Sequence, residues 1–214
     1  MIPKKIAVID YGVGNILSVQ RGLEYCGANV IVSSDPEDIL SASKVVLPGV
    51  GAFSNGMQAL DKLGLIEPIL ELSNNNVPLL GICLGMQFLL DGSEEFGFHE
   101  GLGLIPGKVV RIPNLTTDGE TQKIPHIGWN DLFCSRQDAW AGSILQKNRE
   151  GDAAYFVHSF MALPDDNSDR MAEVLYGGHK IAAVIAKKNV FGCQFHPEKS
   201  GPVGLKILRS FVEL

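Results

Sequence analysis

Short, largely apolar runs alternate with amphipathic stretches through the first half of the chain. The amphipathic stretches place apolar residues at the three-to-four-residue spacing of a helix, as at Ile16, Val19 and Leu23. Strands that alternate with helices in this way predict βαβ crossovers, and therefore a mainly parallel sheet with helices on both faces. The predicted strands are Lys5 to Asp10, Asn29 to Val32, Lys44 to Leu47 and Val77 to Ile82, and helices are predicted at 16–26, after Asp35 and Pro36, at 54–63 and at 65–73.

The second half of the chain has apolar runs separated by short turns rich in Gly, Asn and Asp. These runs predict antiparallel hairpins, with Lys187 to Asn189 as a tight turn. We therefore expect one α/β domain over residues 1–214, whose mainly parallel mixed sheet carries an antiparallel extension. The runs lie at 108–112, 153–157, 171–176, 180–186 and 190–195, followed by a helix at 203–212, while 114–121 is predicted as a polar loop and 136–152 as a short helix between loops.

Composition narrows the class of protein. The 214 residues carry a formal net charge of −6, with 45% apolar and 20% charged residues, as in ordinary globular proteins. This acidic balance argues against nucleic-acid binding. The N-terminus lacks a signal-peptide pattern, no apolar run is long enough to span a membrane, and the four cysteines form no CxxC pair. We expect a cytoplasmic protein with reduced thiols, without a metal or another cofactor.

The segment LLGICLGMQ gives the sharpest indication of chemistry. Cys83 follows an apolar strand and precedes a helical pattern, with Gly81 and Gly85 two positions to either side. This is a cysteine version of the GxSxG nucleophile elbow, in which small neighbours allow strand and helix to approach. The helix start favours the thiolate, and the backbone N–H of Leu84 would face a tetrahedral oxyanion. Taken alone, GxCxG is equally compatible with a packed structural cysteine.

The segment CQFHPEKS supplies a base and a group to orient it. His196 and Glu198 are two residues apart, and on an extended chain such residues face the same side. Glu198 would then hold the ring of His196, which completes a nucleophile, base and orienter together with Cys83. Standing alone, the motif is more typical of a strand-end histidine beside a surface glutamate.

Two glycine-rich turns follow strands in the first half of the chain. In PGVG, at 48–51, glycines free backbone N–H groups that would complete an oxyanion hole, although an ordinary βα turn has the same composition. YGVGN, at 11–15, begins like a dinucleotide-binding fingerprint, but Leu17 stands where GxGxxG needs its third glycine. A nicotinamide enzyme is therefore disfavoured.

Taken together, the motifs make the chain resemble the class I (triad) glutamine amidotransferases, specifically the glutaminase subunits of imidazole glycerol phosphate synthase. The resemblance covers nearly the whole chain and implies a flavodoxin-like fold. GICLGMQ and QFHPE indicate the superfamily, and PGVGAF, PHIGWN and FVHS indicate the subunit. The motifs are DYGVGN, LPGVGAF, GICLGMQ, SEEFG, PHIGWN, YFVHSF and QFHPEKSG.

The resemblance implies a role for each matching residue. Cys83 would attack the side-chain amide of L-glutamine, His196 would pass its proton to the departing ammonia, and Glu198 would orient His196. Backbone N–H groups of Leu84 and Val50 would form the oxyanion hole, the latter after a rearrangement of PGVG. Phe160 stands where the family usually has Tyr, which leaves a backbone contact unaffected. Glutamine would be held by Gly49, Gly51, Gln87, Glu95 and the backbone of Ser159 and Phe160, with Glu95 facing the α-ammonium.

The resemblance also implies a partner, because the motifs fill the chain and leave no room for a domain that consumes ammonia. In the family, a separate (β/α)₈ barrel subunit inserts the nitrogen into a nucleotide, giving imidazole glycerol phosphate and AICAR for histidine synthesis. Asn15, Trp129 and Lys199 are expected near that interface, whereas a core tryptophan and a solvated lysine are the alternatives. Other functions left open are a paralogous subunit feeding a surface-sugar amidotransferase, a free-standing cysteine hydrolase and a catalytically inactive docking module.

Overall fold

An eight-stranded mixed sheet forms the centre of the structure, a computed structural model that describes residues 5–214. The first five strands across the sheet are parallel and the last three are antiparallel, as predicted. Lys188 and Asn189 form the predicted tight turn between the last two long hairpin strands. In sheet order the strands are β2 (Asn29–Ser33), β1 (Lys5–Ile9), β3 (Lys44–Gly49), β4 (Leu79–Cys83), β14 (Val190–Cys193), β13 (His179–Lys187), β12 (Arg170–Tyr176) and β9 (Phe133–Cys134).

Helices cover both faces of this sheet, which confirms the predicted α/β fold. Alternate residues of β1 enter two separate cores: Ile6 and Val8 pack with one group of helices, and Ala7 and Ile9 with the other. The Asp35 side chain accepts the backbone N–H of Glu37 and caps the helix that begins at Pro36. One face holds α1 (Ile16–Tyr25) and α6 (Gly201–Glu213), and the other holds α2 (Pro36–Leu40), α3 (Phe53–Lys62), α4 (Ile66–Asn74) and α5 (Leu84–Phe88).

Two smaller sheets lie beside the central one, and here the predicted antiparallel extension is incomplete. The runs predicted at 108–112 and 153–157 do form strands, but they pair away from the central sheet. One small sheet has the order β11 (Phe160–Pro164), β7 (Gly107–Arg111), β5 (Gly92–Ser93) and β6 (His99–Glu100), and the other is a two-stranded ribbon of β8 (His126–Asp131) and β10 (Ala153–His158).

Strand β8 is not among the strands predicted from the sequence, and its hydrophobic pattern is inverted relative to its burial. Its apolar side chains Ile127 and Trp129 are 59% and 57% exposed, while the polar His126 is fully buried. An amphipathic strand is usually recognised by the apolar side chains on its buried face. The alternation of Ile127 and Trp129 along β8 therefore gives a misleading indication of which face of the strand is buried.

The helix predicted within 136–152 is wrong, because the segment consists of consecutive turns. Backbone hydrogen bonds there join residues three apart, as from Ala139 N to Arg136 O and from Gln146 N to Ser143 O. Asp138 and Gly142 have positive φ angles of 57° and 65°, which a right-handed helix does not accept. The buried side chains of Trp140, Ile144 and Leu145 anchor these turns to the core.

None of the helices within residues 5–214 is long and apolar enough to cross a bilayer. All four cysteines of the chain are unpaired. Residues 1–4, on which the prediction about the N-terminus partly depends, lie outside the described part of the chain.

Candidate active site

Cys83 lies at a sharp bend between β4 and α5. Its φ of 56° and ψ of −110° are unusual for a residue with a side chain, and such strain costs on the order of 1–3 kcal/mol. The flanking glycines are sterically required: a Cβ on Gly81 would lie 2.5 Å from the Gly85 carbonyl oxygen, and one on Gly85 would lie 1.8 Å from the Leu47 carbonyl oxygen. The bend therefore has the geometry predicted for a nucleophile elbow.

His196 follows β14, the strand that pairs with β4 in parallel. Its Nδ1 lies 2.8 Å from Oε1 of Glu198, and both side chains are buried. The prediction placed Glu198 on an extended chain, but Pro197–Lys199 form one turn of 3₁₀ helix, and the glutamate reaches the ring from that turn. Burial lowers the pKa of His196, but hydrogen bonds and charge interactions with Cys83 and Glu198 outweigh it and raise the pKa to about 9.

Asn15, which the resemblance placed at an interface, contacts this pair directly. Its Nδ2 donates to Oε1 of Glu198 at 3.1 Å, the same oxygen that faces the His196 ring. Asn15 immediately precedes α1, so this bond fixes the carboxylate from a segment 183 positions away in the sequence. Sequence reasoning missed this contact, since nothing local relates residue 15 to residue 198.

A cavity of about 400 Å³ opens where the central sheet meets the smaller sheets. It brings Cys83 and His196 to the same space, together with most of the predicted glutamine-binding residues. Gly49 and Glu198 do not line it, and Pro125, Val157 and His158 line it without having been predicted. The lining residues are Val50, Gly51, Cys83, Leu84, Gln87, Glu95, Pro125, Val157, His158, Ser159, Phe160, His196 and Lys199.

The polar lining of the cavity is partly held in place by the protein itself. Gln87 Nε2 donates to the Phe160 carbonyl and to Oε1 of Gln194, both at 3.1 Å. Glu95 Oε2 accepts the backbone N–H of Phe53 at 2.6 Å, which anchors the carboxylate at the start of α3. The cavity therefore offers a thiol, an imidazole, a fixed carboxylate and backbone groups to one small ligand.

The loop predicted to complete an oxyanion hole lies beside Cys83, because Gly49 pairs with Cys83 across β3 and β4. A Cβ on Gly49 would lie 2.5 Å from the Tyr11 hydroxyl and 2.9 Å from the Gly85 nitrogen, so only glycine fits. Gly51 has a φ of 96° and Val50 is exposed at the rim. The backbone can therefore approach a ligand held over the thiol.

The other two predicted interface residues are both exposed. Trp129 is mostly exposed, which excludes the alternative that it is a core residue, and its ring lies 5.9 Å from that of Tyr155. Lys199 is exposed and lines the cavity. Within residues 5–214, no three His, Cys, Asp or Glu side chains cluster as a metal site would require.

Comparison with solved structures relates the fold to known proteins. A crystal structure of a glutamine amidotransferase superposes with a TM-score of 0.72 at 14% identity, over 98% of this chain and 99% of that one. A chain of PurLQS from Thermotoga maritima gives a TM-score of 0.71 at 19% identity, with 99% of each chain covered. At these identities the likeness concerns the fold.

Sequence comparison is more specific. Residues 7–214 match the family model of glutamine amidotransferase class-I. The chain is 51% identical over 210 residues to imidazole glycerol phosphate synthase subunit HisH 1 of Legionella pneumophila strain Lens, covering 98% of this chain and 99% of that one. It is 47% identical over 211 residues to subunit HisH of Geobacter sulfurreducens, with the same coverage. The chain therefore belongs to the class-I glutamine amidotransferases and, within them, to the family of HisH subunits.

Proposed function

We propose that residues 1–214 form one glutaminase domain, the cytoplasmic subunit that supplies ammonia to imidazole glycerol phosphate synthase. The observation that carries this proposal is the convergence of Cys83, His196 and the bound Glu198 at one cavity. The sequence relatives named as HisH subunits support the pathway, since they match over nearly their whole length.

The geometry supports the following reaction sequence. The Cys83 thiolate attacks the side-chain amide carbon of L-glutamine, and the resulting oxyanion is stabilised by the backbone N–H of Leu84 and, after a rearrangement of PGVG, by that of Val50. Protonated His196 gives its proton to the leaving nitrogen, so that the C–N bond breaks and ammonia departs from a glutamyl thioester. Neutral His196 then takes a proton from water, which attacks the thioester and releases glutamate and the thiolate.

The remaining cavity residues would recognise the amino-acid end of glutamine. Glu95 is the carboxylate on the wall and would face the α-ammonium, while Gln87, Gly49, Gly51 and the main chain at 159–160 would hold the rest. Charge complementarity of this kind favours glutamine over an amide that lacks the ammonium group.

Ammonia released here needs a sheltered path, because free ammonia at neutral pH is mostly protonated and unreactive. We propose that a (β/α)₈ barrel subunit docks at the rim of the cavity, over Trp129 and Lys199, and consumes the ammonia. Asn15 is half-buried, and its hydrogen bond to Glu198 would transmit the effect of docking to the carboxylate.

The test is to assay the chain alone and with the histidine-pathway barrel subunit and its nucleotide. We expect weak glutamine hydrolysis by the chain alone, strong stimulation by the loaded partner and formation of cyclised product from glutamine. Complementation of a histidine auxotroph lacking this subunit checks the same function in cells, with Cys83→Ala as the inactive control. Hydrolysis that is fast without any partner would indicate a free-standing hydrolase, and stimulation only by a sugar-modifying synthase would indicate the paralogous role.

The raised pKa of His196 predicts the alkaline limit of this activity. With a pKa of about 9, the ring is protonated at neutral pH and loses its proton as the pH rises through that value. We expect kcat/KM for glutamine to fall above about pH 9, because the leaving nitrogen then has no proton donor. Glu198→Gln removes a negative charge that raises this pKa, so the alkaline limb moves to lower pH and kcat drops by at least about tenfold.

The control for this pH profile is Glu67→Gln, which removes the same charge from the exposed first turn of α4. It should leave the profile unchanged. An alkaline limb that stays in place in Glu198→Gln would contradict the assigned role of the carboxylate.

A further inference from the structure

Two buried histidines face each other across the β8–β10 ribbon. His126 and His158 occupy opposite positions in the antiparallel register, and their side chains are 0% and 6% exposed. Nδ1 of His126 lies 3.0 Å from Nε2 of His158. Neither residue takes part in the reaction sequence above, although His158 lines the cavity.

Each histidine uses its second ring nitrogen for a further polar contact. Nδ1 of His158 lies 2.8 Å from the Phe160 carbonyl oxygen, which also accepts the Gln87 side-chain amide at 3.1 Å. Nε2 of His126 lies 2.9 Å from Oδ1 of Asn130, which is on the same strand as the exposed Trp129. Asn130, His126, His158 and the Phe160 carbonyl thus form a continuous series of hydrogen bonds from β8 to the cavity wall, which we call the histidine relay.

The Phe160 carbonyl group determines which atom donates and which accepts in each hydrogen bond of the histidine relay. Because the Phe160 oxygen only accepts, Nδ1 of His158 carries a proton. Burial lowers the pKa of His158 to about 3, so the ring is neutral and its Nε2 accepts from Nδ1–H of His126. Burial also lowers the pKa of His126, so this ring is neutral too and its Nε2 carries no proton. Nε2 therefore accepts from Nδ2 of Asn130, with the oxygen and nitrogen of that amide exchanged by a half-turn.

Packing holds the His126 ring in the orientation that its hydrogen bond to His158 requires. The ring stacks between Phe156 and Tyr176, with centroid distances of 5.0 Å and 4.1 Å and interplanar angles of 17° and 26°. The Tyr176 hydroxyl donates to the Lys123 carbonyl at 2.6 Å, which fixes the outer ring of this stack. A ring held in this way presents its Nδ1–H to His158 at little entropic cost.

We propose that His126 and His158 are positioning residues, whose directional hydrogen bonds fix the main chain at 159–160 for glutamine binding. The inference rests on the proposed glutaminase function, since it assigns Ser159 and Phe160 to the substrate. The relay acts on the ground-state binding of glutamine, because its hydrogen bonds reach the binding wall and involve neither Cys83 nor His196. Its signature is therefore a change in KM rather than in kcat.

Two substitutions of His158 distinguish the roles of its two ring nitrogens. In His158→Asn the side-chain amide occupies the place of Nδ1 and still donates to the Phe160 carbonyl, whereas in His158→Gln it occupies the place of Nε2 and that donor is lost. We expect KM for glutamine to rise about tenfold in His158→Gln but only about threefold in His158→Asn, which keeps the bond to Phe160 and loses the bond to His126, with kcat within about threefold in both. An equal rise in the two variants, an unchanged KM in His158→Gln, or a loss confined to kcat would overturn the proposal.

His126→Phe provides a second variant, because it keeps an aromatic ring between Phe156 and Tyr176 but removes the donor to His158. We expect KM to rise in it by about threefold, and an unchanged KM would remove His126 from the relay.

Nitrogen-15 NMR of the histidine rings in the wild-type chain tests the relay directly. We expect both rings to be neutral at pH 7, with the proton on Nδ1. A His158 ring with its proton on Nε2 would overturn the proposal, even if the variants failed to fold. Wild-type glutaminase activity is measured in parallel with the partner subunit. Its absence would refute the proposed function, whereas the NMR result would still decide whether the relay exists.

Discussion

Cys83→Ser is expected to lower glutaminase activity to less than about one thousandth of the parent, measured as glutamate release with the partner subunit present. The serine hydroxyl remains protonated at neutral pH, whereas the thiol is readily converted to a thiolate by the neighbouring imidazole. Because the proposed mechanism passes through a thioester, loss of the thiolate removes the covalent step itself. The strained backbone at Cys83 is unaffected by so small a change, so the fold should persist.

An electrophilic glutamine analogue provides a second measurement of the same prediction. It should attach to one cysteine of the parent and to none in Cys83→Ser, as followed by mass spectrometry. Cys134→Ser is the matched control, because Cys134 lies in the short edge strand β9 and does not line the cavity. Residual activity above one thousandth, or labelling of Cys134 instead, would show that Cys83 is not the nucleophile.

Gly85→Ala is expected to destabilise the fold by about 3 kcal/mol or more and to abolish activity. The added Cβ would lie 1.8 Å from the Leu47 carbonyl oxygen and 2.8 Å from the Leu47 carbonyl carbon. Both atoms belong to the backbone of the buried strand β3, which cannot move aside as a flexible side chain would. Helix α5 must therefore shift away from the sheet and carry the elbow with it. Urea unfolding monitored by circular dichroism measures the loss of stability.

Gly119→Ala separates this steric clash from the general cost of replacing a glycine. Gly119 lies in the exposed 114–121 loop with a φ of 85°, and a Cβ there meets nothing within 4 Å. Only backbone strain applies, so we expect a loss of about 1 kcal/mol and unchanged glutaminase activity. Equal destabilisation by the two substitutions would contradict the steric argument for Gly85.

The nucleophile elbow could be predicted because all its determinants are local. The apolar run ending at Cys83, the small residues Gly81 and Gly85 and the helical pattern beyond them are neighbours in sequence, and close packing of strand against helix leaves no other residue type at the two glycines. The pairing of His196 with Glu198 is local in the same sense, although the sequence suggested an extended chain and the structure has a 3₁₀ turn. The roles given to these residues remain predictions until the variants are measured.

Other features depend on contacts between distant segments and left no local signal. The sequence suggested a helix in 136–152, but the anchoring of Trp140 and Leu145 in the core is satisfied by turns. The bond from Asn15 to Glu198 spans 183 positions, and it exists only because α1 packs beside the turn after β14. The His126–His158 pair likewise requires the register of the ribbon.

The sequence by itself therefore determined the alternation of strands and helices and the candidate nucleophile, because periodicity and the steric needs of glycine act over a few residues. Only the tertiary structure decided that Cys83 and His196 share one cavity, that Asn15 supports Glu198, and that two buried histidines link the exposed ribbon to the cavity wall. Those juxtapositions arise from strand order and packing, which residues far apart in the chain establish together.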